Sequence, residues 1–264
     1  MKIGLFGGGF KPFTTGHFAK LANAIRDNDR VYLFYGLQEE RDPQYYKIGP
    51  KKGQQKPDKR LRPIGASGRF YTPRMSKAIF DIYEQAIENN LPNVEIESTQ
   101  GSTPMTRIFE VIEEFGNNPD VEKITVYGDG NTLRDYLKNR RYFSDLLDNG
   151  RVQLGAIAPE SPSDYLDEET LNNLVSGSED RARQSLSSYY PGASEEDITS
   201  MQSVRGTEVR DIASSELGID SAKRFLPPFL NDSEKERIIQ IMISDDEALG
   251  EVYLRSFIRG IIRG

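Results

Sequence analysis

One stretch near the start of the chain concentrates residue types suited to phosphate chemistry. It reads Gly8-Gly9-Phe10-Lys11-Pro12-Phe13-Thr14-Thr15-Gly16-His17 and contains the only histidine among 264 residues. Glycines let a backbone approach a phosphate closely, and a helix starting behind them adds unpaired N–H groups and a positive dipole end. Thr14 offers a hydroxyl, and His17 would place a ring N–H at the helix start, within reach of a phosphate oxygen. Glycine-rich turns are common as plain turns, and single histidines are mostly structural. Their coincidence selects this turn as a candidate site.

A second stretch, Val204-Arg205-Gly206-Thr207-Glu208-Val209-Arg210, lies late in the chain. Gly206 would allow close backbone approach, Thr207 would supply a hydroxyl at a helix start, and Arg210, one turn on, would face the same anion with a planar fork of donors. Arg205 adds charge. Taken alone, the stretch reads equally as an ordinary capped helix. Gly128-Asp129 ends an apolar run and is a third candidate, with a plain strand-ending turn as its alternative. Arg74-Met75-Ser76-Lys77 has a superficial likeness to the lysine-rich loop of class I aminoacyl-tRNA synthetases, but it falls too early in the chain to be set with these.

The elements that must position these residues follow from hydrophobic periodicity. Ile3 to Phe6 reads as a strand entering the glycine turn, and Phe18, Leu21, Ala22 and Ile25 recur at helical spacing behind it. Val31 to Tyr35 is a second strand. Thr72-Pro73 and Thr103-Pro104 each pair an N-cap residue with proline at the first helical position. The first precedes the stripe Met75, Ile79, Ile82, Tyr83, Ala86, and the second precedes Ile108, Val111, Ile112, Phe115. Val94 to Ile96, Lys123 to Tyr127 and Val152 to Ala158 complete five strands. Strands alternating with helices predict an α/β, Rossmann-like doubly wound fold with a mostly parallel five-stranded sheet and surface insertions.

Composition limits the classes of function. Hydrophobic residues are 36% and charged residues 28% of the chain, and no apolar run approaches the roughly 20 residues of a membrane span. No signal peptide is expected before the strand that starts at Lys2. With no cysteine, disulfides and thiolate chemistry are excluded, which suits the cytoplasm. The net charge of −7 argues against nucleic acid as a general partner. That charge is uneven. Lys47 to Lys77 carries ten basic residues against Asp58, and Glu160 to Asp197 carries ten acids against Arg181 and Arg183. The basic stretch (insertion 38–70) holds glycines and prolines that argue against a regular element, and it is expected to order over bound phosphates. The acidic one (insertion 160–200) reads as a solvated surface insertion. Past residue 243, Leu249, Val252, Tyr253, Phe257 and Ile261 fall on one face of an expected C-terminal helix over 244–264 that docks on the domain or on a second subunit.

The first stretch resembles the signature of the HxGH nucleotidyltransferase, or cytidylyltransferase-like, superfamily. Its nearest likeness is the G-R-F-Q-P-F-H-x-G-H form of archaeal-type nicotinamide-mononucleotide adenylyltransferases, aligned without a gap from Gly8 to His17. Gly9 stands where that form has arginine and Thr14 where it has histidine, although phosphopantetheine adenylyltransferases carry T-x-G-H. Val204–Arg210 is similar to the superfamily's I-S-G-T-x-x-R, with Arg205 replacing serine, and Gly128-Asp129 resembles its G-x-D neighbourhood. Phe225-Leu226-Pro227, leading into a helix from Asp232, is similar to the way such domains end. The general likeness is to cytidylyltransferase-like proteins of T4-like phages, which would place the chain in a host cytoplasm.

The resemblance spans residues 1 to 243 and implies transfer of a nucleoside monophosphate from ATP or CTP to a phosphorylated small molecule, with pyrophosphate released. Thr14 and His17 would stabilise the α- and β-phosphate oxygens, and Thr207 and Arg210 would hold the β/γ end. Gly8, Gly9, Phe10, Lys11, Gly16, Gly128, Asp129, Arg205 and Gly206 would line the nucleotide. Mg²⁺ would arrive on the triphosphate, since no carboxylate cluster has ligand spacing. Two other readings stand beside it. One is a non-catalytic nucleotide- or partner-binding member of the same fold, motivated by Gly9, Thr14 and Arg205. The other is an RNA-binding module using the Lys47–Lys77 charges.

Overall fold

The computed structural model describes residues 1–37, 50–52, 54, 62–64, 69–99 and 102–244. Much of the basic insertion and the whole stripe from Leu249 to Ile261 lie outside the described residues.

Five short strands build the sheet: β1 (Lys2–Gly8), β2 (Arg30–Tyr35), β5 (Val94–Ser98), β6 (Lys123–Tyr127) and β7 (Val152–Leu154). Their order is β5-β2-β1-β6-β7, and every pairing is parallel. Side chains alternate between two cores, as the two-residue period of a strand requires. Ile3 and Leu5 of β1, with Tyr32 and Phe34 of β2, point to one face. Phe6, Val31, Leu33 and Tyr35 point to the other. Both faces being buried explains why these strands read as continuous apolar runs.

Helices α1 (Thr15–Asp27) and α2 (Pro73–Asn90) cover one face. Helices α3 (Pro104–Phe115), α4 (Gly130–Lys138) and α5 (Ser144–Asp148) cover the other. The expected threonine caps form: Thr72 accepts the Met75 N–H and Thr103 the Thr106 N–H, each with proline in the first turn. This is a Rossmann-like, doubly wound α/β fold. The chain runs outward from β1 through β2 to β5, then returns to the other side of β1 for β6 and β7. Strand order therefore reverses between β1 and β6, and ligands of such sheets bind beyond the strand ends at that crevice.

Three expectations need correction. β7 stops at Leu154 instead of reaching Ala158, because Gly155 turns into the left-handed region at φ +82°. Within the basic stretch, β3 (Arg62–Ile64) and β4 (Arg69–Tyr71) pair as an antiparallel hairpin, so glycine and proline content did not preclude a regular element. The acidic stretch is no loose insertion. It folds into α6 (Glu168–Tyr189) and α7 (Glu195–Ser203). Both pack on α1, where Ala182, Leu186 and Ile198 are buried in the core. The chain continues through α8 (Gly206–Ala213), against which β3 lies, then α9 (Gly218–Lys223) and α10 (Asp232–Ile243). Asn231 caps α10 at the expected Asp232 start.

Candidate functional site

The glycine-rich turn leaves β1 and enters α1 through a reciprocal cap. Thr14 is the N-cap, its Oγ1 accepting the His17 N–H, while the His17 ring accepts the Thr14 N–H at 3.0 Å through Nδ1. Glutamate or glutamine usually fills that third helical position. Because Nδ1 accepts an amide proton, the ring's own proton sits on Nε2. The imidazole packs edge-on to Phe10, 4.9 Å between ring centres, and lies 5.5 Å from Phe13. Burial among these groups, reinforced by the Lys20 ammonium and opposed by Asp129, pushes its pKa down to about 3. At neutral pH His17 is an uncharged donor.

Neighbouring elements hold the turn from several sides. Tyr83 of α2 donates to the Phe13 carbonyl at 2.9 Å, and the Thr15 N–H donates to the Phe225 carbonyl at 2.8 Å. Thr15 Oγ1 donates to Met201 at 2.6 Å, and Thr14 Oγ1 donates to Val204 at 3.2 Å. Those last two bonds pin the end of α7 and the late stretch against α1. The contact is close enough to require glycine twice. A Cβ on Gly16 would fall less than 3.0 Å from the Gln202 carbonyl oxygen, and one on Gly206 would fall 2.6 Å from that of Lys11. Two stretches whose bonded residues lie 190 positions apart thus share one junction.

Arg210 locks that junction. It is 2% exposed; Nη1 donates to the Lys11 carbonyl, and Nη2 donates to Thr207 Oγ1 at 3.2 Å. The guanidinium expected to face an anion is instead buried between the two stretches. Thr14, 0% exposed, likewise has its hydroxyl committed to cap and carbonyl. Phe10 is a core side chain beneath the turn, and Gly8 presses on its ring. Gly9 is exposed, and a Cβ there would meet nothing within 4 Å. Gly9, Lys11 and Thr207 do not line the cavity described next.

At the switch point lies a cavity of about 450 Å³. The structure brings Gly16, His17, Asp129, Arg205 and Gly206 together on its walls. Gly128 lines a small neighbouring hollow shared with Lys20. Three helices begin here. α1 presents its first turn. α8 presents Gly206 behind Arg205, whose N–H donates to Glu208 at 2.6 Å. α4 is capped by Asp129, which accepts the Thr132 N–H at 2.7 Å. Burial would raise the Asp129 carboxyl, but bonds from Thr132 and the charge of Lys20 outweigh it and hold it below the ordinary range. The amides of Thr15, His17 and Thr132 are taken by the Phe225 carbonyl and the two caps, but the remaining first-turn amides lack intrahelical acceptors, which suits an anion.

Sequence reading missed the rest of the lining: Lys20, Glu179, Arg183, Thr199, Gln202 and Ser203. Lys20 follows His17 by three residues, so helical spacing alone places it on the same face. Arg183 was visible as one of two cations in the acidic stretch. Among the described residues neither Lys20 nor Arg205 has an ion-pair partner. Among the described residues, no cluster of three or more His, Cys, Asp or Glu could hold a metal, and no helix is long and apolar enough to cross a membrane. No protein-family model matches the chain, and no curated protein matches it at a significant level.

Proposed function

We propose that the chain is a nucleotidyltransferase that binds a nucleoside triphosphate, ATP or CTP, in the switch-point cavity. It transfers the nucleoside monophosphate to a phosphorylated small molecule. The observation that carries this reading is the meeting of the two distant stretches at one cavity, with Gly16, His17, Arg205 and Gly206 on its walls. A phosphate oxygen of the acceptor attacks the α-phosphorus, the bond from that phosphorus to the bridging oxygen breaks, and pyrophosphate leaves with the electron pair. No covalent intermediate with the protein is required, so positioning and charge stabilisation do the catalysis.

His17 donates from Nε2–H to an α- or β-phosphate oxygen. Being neutral, it remains a donor across the physiological range. Lys20, Arg205 and the first turns of α1 and α8 neutralise the triphosphate. Asp129 and Glu179, the acidic side chains on the cavity wall, would face a Mg²⁺ brought in with the triphosphate, which would supply further charge neutralisation. Arg210 acts as a positioning residue that fixes the junction.

A second reading has a specific observation in its favour. Arg210 and the Thr14 hydroxyl are buried in structural bonds, which suits a protein that binds nucleotide without turning it over. Pyrophosphate release from a panel of triphosphates and phosphorylated acceptors separates the two. Release supports transfer, whereas nucleotide binding without release supports the binding protein.

A further inference from the structure

One wall of the cavity belongs to neither motif. It comes from α6 and α7, and Arg183 is its one cation. The Arg183 side chain is 39% exposed, but one edge of it is held. Its Nε donates to Gln202 Oε1 at 2.9 Å, while Gln202 Nε2 donates to the Glu179 carbonyl at 2.8 Å. The amide of Gln202 is thus oriented at both ends, and it orients the guanidinium in turn. Asp180, the acid nearest to Nη1, is 3.8 Å away and 62% exposed, too far for a hydrogen bond and too solvated to neutralise the charge. The helix beneath is anchored, with Ala182, Ser185 and Leu186 beside Arg183 buried and α6 packed on α1. A fork of donors held by a helix and an oriented amide can grip an oxyanion with little further loss of side-chain freedom.

We infer that Arg183 recognises a phosphate of the second substrate, at a subsite distinct from the triphosphate half built by α1 and α8. The acidic insertion would then supply acceptor specificity, while the two motifs supply the nucleotide. This rests on the nucleotidyltransferase reading. Lys20 and Arg205 stand on the motif helices, so the triphosphate has its own counter-charges and Arg183 remains for a separate anion.

The test is calorimetric titration of inorganic phosphate into the full chain, alone and with Mg²⁺ and a saturating non-hydrolysable ATP or CTP analogue. Wild type is compared with Arg183→Gln and Arg183→Lys, their melting temperatures checking the fold. Phosphate should still bind with the analogue in place. Arg183→Gln should weaken it by about ten- to a hundredfold, the effect of one charge-assisted bond or more, and leave analogue affinity unchanged. Arg183→Lys should retain part of the binding. Equal phosphate affinity in Arg183→Gln, loss of analogue affinity instead, or no phosphate uptake by wild type would each overturn the inference. If no analogue binds at all, the nucleotidyltransferase reading falls, while the titration without nucleotide still tests Arg183.

Discussion

His17 combines a helix cap with a candidate donor, and the sequence could not separate the two. Its type and place marked it as a phosphate donor, and its Nε2–H is consistent with that. Yet Nδ1 also closes the cap of α1. His17→Ala should therefore lower stability by about 0.5–2 kcal/mol, whereas His17→Gln restores the usual capping partner and should melt near wild type at pH 7. The pH dependence gives an independent check. Burial lowers the folded-state pKa to about 3 from 6.5, so the unfolded chain takes up the proton first. His17 then costs the wild type stability as pH falls from about 6.5 to 3 and costs nothing above that window. Denaturant unfolding at several pH values should show a flatter acid limb for His17→Gln; an identical limb would mean that the ring is not desolvated. Arg210 was legible as an arginine one turn past a glycine, but its burial was not, because only the fold brings the Lys11 carbonyl to it. Arg210→Lys keeps the charge and loses the fork. It should destabilise the unliganded protein by about 1–3 kcal/mol, and an unchanged melting temperature would return Arg210 to the ligand.

Among the elements, those buried on both faces were the most legible. The runs at Val31–Tyr35 and Lys123–Tyr127 need no partner to announce a strand, and the Thr-Pro pairs fixed two helix starts. The α6–α7 pair was hidden for the opposite reason. α6 buries only Leu171, Ala182, Ser185 and Leu186 along its 22 residues, so polar residues dominate its pattern, and its stability comes from docking on α1. The junction of α1 with α7 and α8 depends on close backbone approach, which substitution can probe. Gly16→Ala must push Gln202 away and should cost about 1–3 kcal/mol. Gly9→Ala, facing open space, should stay within about 0.5 kcal/mol of wild type. Thermal melts of the pair decide this, and equal melting temperatures would contradict the close packing.

At the scale of the whole molecule, the sheet order places both stretches at the crevice where strand order reverses, and that placement is what lets two short motifs share one cavity. The sequence pointed to a candidate site on the motifs but not to the cavity wall built by α6 and α7, since nothing in a run of acids shows which arginine will be held at a cavity. The central claim is that a triphosphate binds where the stretches meet. Its most direct test compares the melting temperature of wild type and the double variant Lys20→Gln, Arg205→Gln with and without each nucleoside triphosphate and Mg²⁺. Neither side chain forms an ion pair among the described residues, and the Lys20 charge acts on Asp129 only from beyond that range, so the unliganded melting temperatures should lie close together. ATP or CTP should raise that of the wild type, as any ligand selective for the folded state does, and should raise that of the double variant far less. No shift with any triphosphate, or an equal shift in both proteins, would contradict the account.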